Sequence, residues 1–98
     1  MNVEVKKNGK ELTLVPDSRI DAASSELLLL SIREYFTDDF DCLVLDFIKV
    51  DFISSNGLRV IVACSKNLGE RKIMIINANQ AVRDVFNITG LNKFIEVK

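Results

Sequence analysis

Residues 50–62, with the sequence VDFISSNGLRVIV, constrain the fold of this chain more than any other segment. They join the exit of an apolar strand to an apolar helix through Ser54, Ser55, Asn56 and Gly57. Short polar side chains at such a point cap free backbone N–H groups, and the helix dipole favours an anion there. The segment therefore predicts a strand–turn–helix unit whose turn is a helix cap or an anion site.

Length and composition indicate one small globular domain. The chain has 98 residues, of which 48% are hydrophobic, enough for one core. Its net charge of −1 provides no basic field for nucleic acid. Neither a bilayer-spanning apolar run nor a signal-peptide core is present, and sustained heptads are absent. We therefore expect a cytoplasmic monomer that does not insert into membranes.

The first twenty residues have the pattern of a β-hairpin. Residues 3–14 alternate apolar and polar side chains on both sides of Asn8 and Gly9, a strong hairpin turn signal. Pro16 predicts the end of the second strand. Residues 17–21 then predict a polar loop.

A helical pattern follows from Ala22, with Asp21 or Ser24 as its cap. Residues 37–39 predict its end. Leu27 and Leu30 lie off the main apolar stripe, and they indicate either a broader buried face or an edge that binds a partner. The main stripe consists of Leu28, Ile32, Tyr35 and Phe36.

The second half of the chain alternates strands and helices. Residues 42–47 and 72–76 are apolar runs typical of strands buried on both faces. The helix between them ends at Gly69, and a third helix runs from its cap Asn79 to Gly90. Residues 94–97 predict a last strand. The predicted buried faces of these two helices are Leu58, Ile61, Val62, Ser65 and Leu68, followed by Val82, Val85 and Phe86.

The order β-β-α-β-α-β-α-β predicts an α/β domain. Strands separated by helices pair in parallel through right-handed crossovers, whereas the hairpin adds antiparallel pairing. We expect a mixed sheet of about five strands with helices packed on it.

The residue inventory argues against catalysis. Without His, the chain cannot form a Ser-His-Asp triad or the familiar Cys/His zinc sites, and it has no phosphate-binding glycine loop. Cys42 and Cys64 form no C-x-x-C pair and predict small core residues, with a reactive thiol as the alternative. We predict neither enzymatic activity nor a cofactor or metal. The acidic residues that could still form an acid/base pair or a metal site are Asp17, Asp21, Asp46 and Asp51.

Two interpretations of the turn at residues 54–57 stay open. The same composition caps many ordinary helices, so capping alone explains it. However, a helix cap needs only one polar side chain, and three are present here. They lie at the strand end where α/β sheets bind ligands and partners. A phosphate on Ser55 would add about −1.5 to −2 charges, which the helix start tolerates but a docked partner does not.

Three blocks carry a family resemblance: SRIDAA at residues 18–23, LDFIKVDFISSNGL at 45–58 and VRDVFNITGL at 82–91. They resemble the Gly-Arg-Leu-Asp-Ala-Ala, Leu-Asp-x-x-x-Val-x-Phe-Ile/Met-Asp-Ser-Ser-Gly-Leu and Val-x-x-Val-Leu-x-Leu-Thr-Gly-Leu segments of the STAS domain family, in particular of bacterial anti-sigma factor antagonists. The blocks occur in order and span nearly the whole chain. Residues 1–98 are therefore identified as one STAS domain.

The resemblance implies a phosphorylation switch. The unphosphorylated protein would bind an anti-sigma factor that is a serine kinase, and so release the sigma factor. The kinase would phosphorylate Ser55, with Ser54 as the second candidate, and a serine phosphatase would reset the system. Ser54 replaces the family's Asp, and Asn56 replaces its second Ser. The residues that the resemblance assigns to partner binding are Asp21, Ser54, Asn56, Gly57 and Arg59.

The resemblance leaves an alternative and a question. The alternative is a non-phosphorylated STAS subunit or partner of a membrane transport system, in which Ser55 only caps the helix. The question concerns a C-terminal helix that family members often have after the last strand. This chain ends at Lys98, so we expect either that the helix is absent or that the extra leucines of the first helix cover that sheet surface.

Overall fold

The computed structural model describes residues 2–35 and 39–98, and in these residues it contains six strands and three α-helices. The sheet has the strand order β1-β2-β3-β5-β6, and β4 pairs with β2. Among the described strands, only the β1–β2 hairpin is antiparallel, and every other pairing is parallel. The predicted mixed α/β domain is confirmed. The elements are β1 (Val3–Asn8), β2 (Glu11–Ile20), α1 (Ala22–Arg33), β3 (Cys42–Asp46), β4 (Lys49–Ile53), α2 (Ser55–Asn67), β5 (Lys72–Ile76), α3 (Gln80–Thr89), a 3₁₀ turn (Leu91–Lys93) and β6 (Glu96–Val97).

The predicted hairpin is confirmed, but its turn lies one residue later than the predicted Asn8-Gly9. β1 and β2 pair up to Asn8 and Glu11, so the two loop residues are Gly9 and Lys10. Gly9 has a φ of 61°, and Lys10 is not among the residues with positive φ. A positive φ at the first loop position alone is the pattern of a type II′ turn, which favours glycine there.

The predicted strand end at Pro16 and the predicted loop over residues 17–21 are wrong. β2 continues through Pro16 to Ile20, pairing with β3 along its first half and with β4 along its second. Proline is tolerated here because the strand changes partners and its ladder of hydrogen bonds is interrupted. Ser18, with a φ of 59°, lies at the bulge that shifts the register of the second half.

The strand β4 was not predicted. Lys49–Ile53 form a strand of their own rather than the exit of β3. The Asp46 carboxylate accepts a hydrogen bond from the Ile48 N–H at 3.1 Å, and the Val50 N–H donates to the Phe47 carbonyl at 2.9 Å. The chain therefore turns within residues 46–50. Apolar residues continue through this turn, so the sequence pattern does not separate β4 from β3.

α1 begins as predicted and ends earlier. Asp21 is its cap, and Leu28 and Ile32 are buried against the core, which confirms the main stripe. Tyr35 is half-buried and packs on the same core. The helix itself ends at Arg33, before the predicted end at residues 37–39.

The extra leucines of α1 face solvent. Leu27 is 48% exposed and Leu30 is 56% exposed, so the broader buried face is wrong and neither residue covers the sheet. Their interpretation as an edge for a partner remains a prediction. Phe36 of the predicted stripe, and Thr37 and Asp38 of the predicted helix end, lie outside the described residues.

The buried face of α2 is rotated from the predicted one. Leu58, Val62 and Ser65 are half-buried at its flanks rather than at its centre. The helix ends at Asn67, and Gly69, with a φ of 65°, follows the cap residue Leu68 in the predicted C′ position. Spacings of three to four residues from Gly57 define the observed stripe, because the helix repeats every 3.6 residues. The stripe consists of Gly57, Val60, Ile61, Cys64 and Leu68.

α3 matches its prediction, whereas the last strand is shorter than predicted. Asn79 caps α3, and Gly90 ends it with a φ of 77°. Only Glu96–Val97 pair with β5, and Phe94, predicted in the strand, is 81% exposed. The inner face of α3 consists of Val82, Val85 and Phe86, of which Val85 is half-buried.

The two cysteines are free thiols at unequal depth. Cys64 is fully buried, and burial raises its pKa to about 11, so almost no reactive thiolate exists at neutral pH. This confirms Cys64 as a core residue. Cys42 is half-buried at the start of β3, and burial also raises its pKa.

Candidate functional site

Two helix starts lie side by side at one edge of the sheet. Ile20 of β2 and Ile53 of β4 are partners in the parallel register, and the Ser54 N–H donates to the Ile20 carbonyl at 2.8 Å. Each strand then passes directly into a helix, α1 after Asp21 and α2 after Ser54. The structure therefore places Asp21 next to the turn at residues 54–57. We call this edge, formed by Asp21 and residues 54–57, the switch edge.

Ser54 is the cap of α2. Its hydroxyl accepts a hydrogen bond from the Gly57 N–H at 3.1 Å, and its backbone is extended. Its backbone N–H is also engaged, in the bond to Ile20. Both the hydroxyl and the backbone N–H of Ser54 are therefore hydrogen-bonded, and the residue is half-buried.

Ser55 is placed differently. It is the first residue of α2 and is exposed. Among the described residues its hydroxyl makes no hydrogen bond. Of the two adjacent serines, Ser55 is thus the one whose hydroxyl can be modified without loss of a cap.

Gly57 allows α2 to approach the sheet. A Cβ atom at this position would lie 2.8 Å from a side-chain carbon of Ile20 and 2.8 Å from one of Ile53. It would also lie 3.0 Å from the Ile20 carbonyl oxygen. Because both isoleucines are buried, no larger residue fits without moving the start of the helix. Gly57 is itself buried, so it shapes the switch edge rather than offering a contact surface.

Asp21 caps α1 through reciprocal bonds with Ser24. Its carboxylate accepts from the Ser24 N–H at 3.1 Å, and its own N–H donates to the Ser24 hydroxyl at 2.8 Å. The carboxylate also accepts a hydrogen bond from the Ser24 hydroxyl at 3.0 Å. The two bonds that it accepts from Ser24, with a smaller contribution from nearby Arg19, hold the pKa of the Asp21 carboxyl below its usual value. Asp21 therefore carries a negative charge beside the start of α2.

Arg19 and Phe52 belong to the same edge and were not predicted as site residues. The Arg19 guanidinium lies 5.1 Å from the centre of the Phe52 ring and 3.8 Å from the Asp21 carboxylate. Phe52 is 45% exposed, which is a large exposed fraction for an apolar side chain of this size. The available signal in the sequence is that both residues lie within family-like blocks, Arg19 two residues before Asp21 in the first and Phe52 two residues before Ser54 in the second.

Asn56 and Arg59 line a groove between α1 and α2. Both are exposed. The groove has a volume of about 290 Å³, and its other walls include Glu26 and Leu29 of α1. The predicted partner residues Asn56 and Arg59 therefore lie on a concave surface, whereas Gly57 is buried against the sheet.

The fold agrees with comparisons to known proteins. The chain belongs to the STAS domain family, whose model matches residues 2–98. A search of curated protein sequences finds no match.

Solved structures give three informative comparisons. An anti-sigma factor antagonist from Mycobacterium paratuberculosis is 25% identical, with a TM-score of 0.89 over 98% of this chain and 83% of that one. The unphosphorylated anti-sigma factor antagonist SpoIIAA is 15% identical, with a TM-score of 0.84 over 99% of this chain and 88% of SpoIIAA. The phosphorylated form of this Bacillus protein is 14% identical, with a TM-score of 0.75 and coverages of 99% and 91%.

A transporter domain has the same fold at lower similarity. The STAS domain of a SulP transporter from Vibrio cholerae is 16% identical, with a TM-score of 0.66 over 94% of this chain and 75% of that one. Within the described residues, no helix of the present chain has the length and apolar character needed to cross a membrane.

Proposed function

We propose that this protein is an anti-sigma factor antagonist switched by phosphorylation of Ser55. The unphosphorylated form binds an anti-sigma factor that is a serine kinase, and the bound sigma factor is released. The kinase transfers the γ-phosphoryl group of ATP to the Ser55 hydroxyl oxygen, and ADP and a proton leave. A serine phosphatase then hydrolyses the phosphate to restore the binding form.

The observation that carries this proposal is the contrast between the two adjacent serines. The Ser54 hydroxyl is engaged as a cap, whereas the Ser55 hydroxyl is exposed and unengaged among the described residues. Modification of Ser55 therefore leaves the cap bond of α2 in place. The phosphate also benefits from the positive end of the helix dipole, so the domain keeps its fold.

Phosphorylation weakens docking at the switch edge for an electrostatic reason. A partner that packs on residues 54–57 has to desolvate the new dianion beside the Asp21 carboxylate. The loss of binding free energy reaches several kcal/mol when a charge is buried without a partner. The similarity to SpoIIAA, which is known in unphosphorylated and phosphorylated forms, supports this assignment.

The test combines mass spectrometry with two variants of Ser55. Incubation with the cognate kinase and ATP is expected to place phosphate on Ser55, as mapped by peptide mass spectrometry. Ser55→Asp is expected to fold normally and bind the kinase weakly, and Ser55→Ala to bind it but resist release by ATP. Binding without any phosphoserine at residues 54 or 55 would contradict the switch.

The transport-system alternative is weaker. It rests on the shared fold with the SulP domain, and the TM-score of 0.66 lies below those of the antagonists. In that case Ser55→Asp would leave partner binding unchanged, because the serine would act only at the helix start. The same pair of variants therefore separates the two functions.

A further inference from the structure

Arg59 lies one helical turn after Ser55 on α2. Residues four apart in an α-helix are neighbours on its surface, with Cβ atoms about 5–6 Å apart. Both residues are inside the continuous helix Ser55–Asn67 and both are exposed. Because Gly57 contacts the sheet and Ser55 lies about 200° from it around the helix, the Ser55 side chain points away from the sheet, towards the side of Arg59.

Arg59 is available for a new partner. Among the described residues it makes no hydrogen bond and no ion pair. Glu26 of α1 lines the same groove, but among the described residues it forms no ion pair with Arg59. Arg19, the other arginine near the switch edge, already contacts Phe52 and Asp21.

We propose that Arg59 pairs with the phosphate of phosphorylated Ser55 within the same helix and is thereby withdrawn from the groove between α1 and α2. The inference rests on the proposed function for the presence of that phosphate. An anion placed four residues before a cation is the favourable orientation of such a pair. In this orientation the anion is closer to the positive N-terminal end of the helix dipole, and the cation is closer to the negative C-terminal end. Guanidinium is well matched to phosphate, since it donates two parallel hydrogen bonds.

This pairing gives phosphorylation two effects on docking. It adds a dianion at the start of α2, and it removes a cation from the groove that the partner enters. A partner carboxylate that pairs with Arg59 in the unphosphorylated complex would lose that contact. Release therefore depends on Arg59 as well as on Ser55.

The experiment places phosphoserine at position 55 during translation, so that no kinase is needed. The second pKa of the phosphate is then measured by ³¹P NMR titration in the otherwise unchanged chain and in Arg59→Gln, with circular dichroism to confirm folding. We expect Arg59→Gln to raise this pKa by about 0.3 pH units, since the pair favours the dianion. The acidic neighbours Asp21 and Glu26 are the same in every variant.

Matched controls separate a local pair from a change of net charge. Lys66→Gln removes one positive charge from the far end of the same helix, and Arg19→Gln removes the other arginine near the switch edge. We expect both to shift the phosphate pKa by less than half as much as Arg59→Gln. Equal shifts in all three variants, or the largest shift in Arg19→Gln, would overturn the proposal.

The outcome is independent of the proposed function. If the cognate kinase does not modify Ser55, the antagonist proposal fails while the ³¹P result still decides the pairing. If Ser55 is modified but Arg59→Gln leaves the phosphate pKa unchanged, the pairing fails and the antagonist function stands. Arg59→Lys, which keeps the charge at this position, is expected to retain most of the effect.

Discussion

At residue scale, Ser54 performs the role that an aspartate can perform in the same position. Serine and aspartate both accept a hydrogen bond from the backbone N–H three residues ahead, and both rank among the best helix caps. The bond from the Gly57 N–H to the Ser54 hydroxyl shows this role directly. The replacement of the family's Asp by Ser54 therefore preserves the cap while it removes a carboxylate beside Ser55.

Substitutions of Ser54 test this role. Ser54→Ala is expected to lower the free energy of unfolding by about 1 kcal/mol, because the Gly57 N–H loses its partner. Ser54→Asp is expected to leave stability nearly unchanged. Urea denaturation measures both, and an alanine variant as stable as the parent would show that the cap adds nothing.

Gly57 is a second residue at which a small change has a large expected effect. The Cβ added by Gly57→Ala overlaps the buried side chains of Ile20 and Ile53, which costs about 1–3 kcal/mol. Alanine gains about 1 kcal/mol in helix propensity, so we expect a net destabilisation of up to about 2 kcal/mol. Thermal denaturation is the measurement. The control is Asn56→Ala, an exposed neighbour for which we expect a change within about 0.5 kcal/mol.

At the scale of elements, Asn79 joins α3 to the strand that leads into the switch edge. Its side-chain oxygen caps α3 by accepting from the Val82 N–H at 2.9 Å. Its side-chain amide donates to the Val50 and Asp51 carbonyls of β4 at 3.3 and 3.1 Å. Asn79 thus provides hydrogen-bond partners for a backbone N–H at the start of α3 and for two carbonyl groups of β4.

Asn79→Asp separates these two roles. The carboxylate keeps the cap but replaces the amide donor with an acceptor that faces two carbonyls. We expect a loss of about 1–3 kcal/mol at pH 7, in contrast to the tolerated Ser54→Asp. Urea denaturation provides the comparison. Equal stability of Asn79→Asp and the parent would mean that the bonds to β4 contribute nothing.

The elements also show which features of the fold are readable from the sequence. The hairpin, β3, β5 and the starts of all three helices were predicted, since each has a strong local signal such as Asn8-Gly9 or a capping residue. β4 and the second half of β2 were missed. Their pairing depends on a long-range register between Ile20 and Ile53, which no local pattern encodes.

At the scale of the whole molecule, several large apolar side chains lie on the surface. Ile88 and Phe94, near the C-terminal end, are 85% and 81% exposed, and Leu27 and Leu30 form a separate exposed pair on α1. Single exposed apolar residues are common on monomers, and the two pairs belong to different elements. We therefore keep the prediction of a monomer.

Sedimentation equilibrium tests the oligomeric state. The 98-residue chain is expected to show a mass of 11.0 kDa at micromolar concentrations. A mass that rises with concentration would contradict the monomer. The double variants Ile88→Ser/Phe94→Ser and Leu27→Ser/Leu30→Ser would then show which exposed pair mediates association.

The sequence alone was sufficient for the α/β class, because the class depends on local periodicity, capping residues and turn residues. It was also sufficient for the family, which was identified from the resemblance of three blocks at residues 18–23, 45–58 and 82–91. The family resemblance ranked Ser55 above Ser54 as the phosphorylation site, but the sequence did not show which of the two adjacent hydroxyls caps α2. The tertiary structure decides between them: the strand pairing of Ile20 with Ile53 and the close approach permitted by Gly57 determine where α2 starts, and the start of the helix determines which hydroxyl is used as the cap and which remains free.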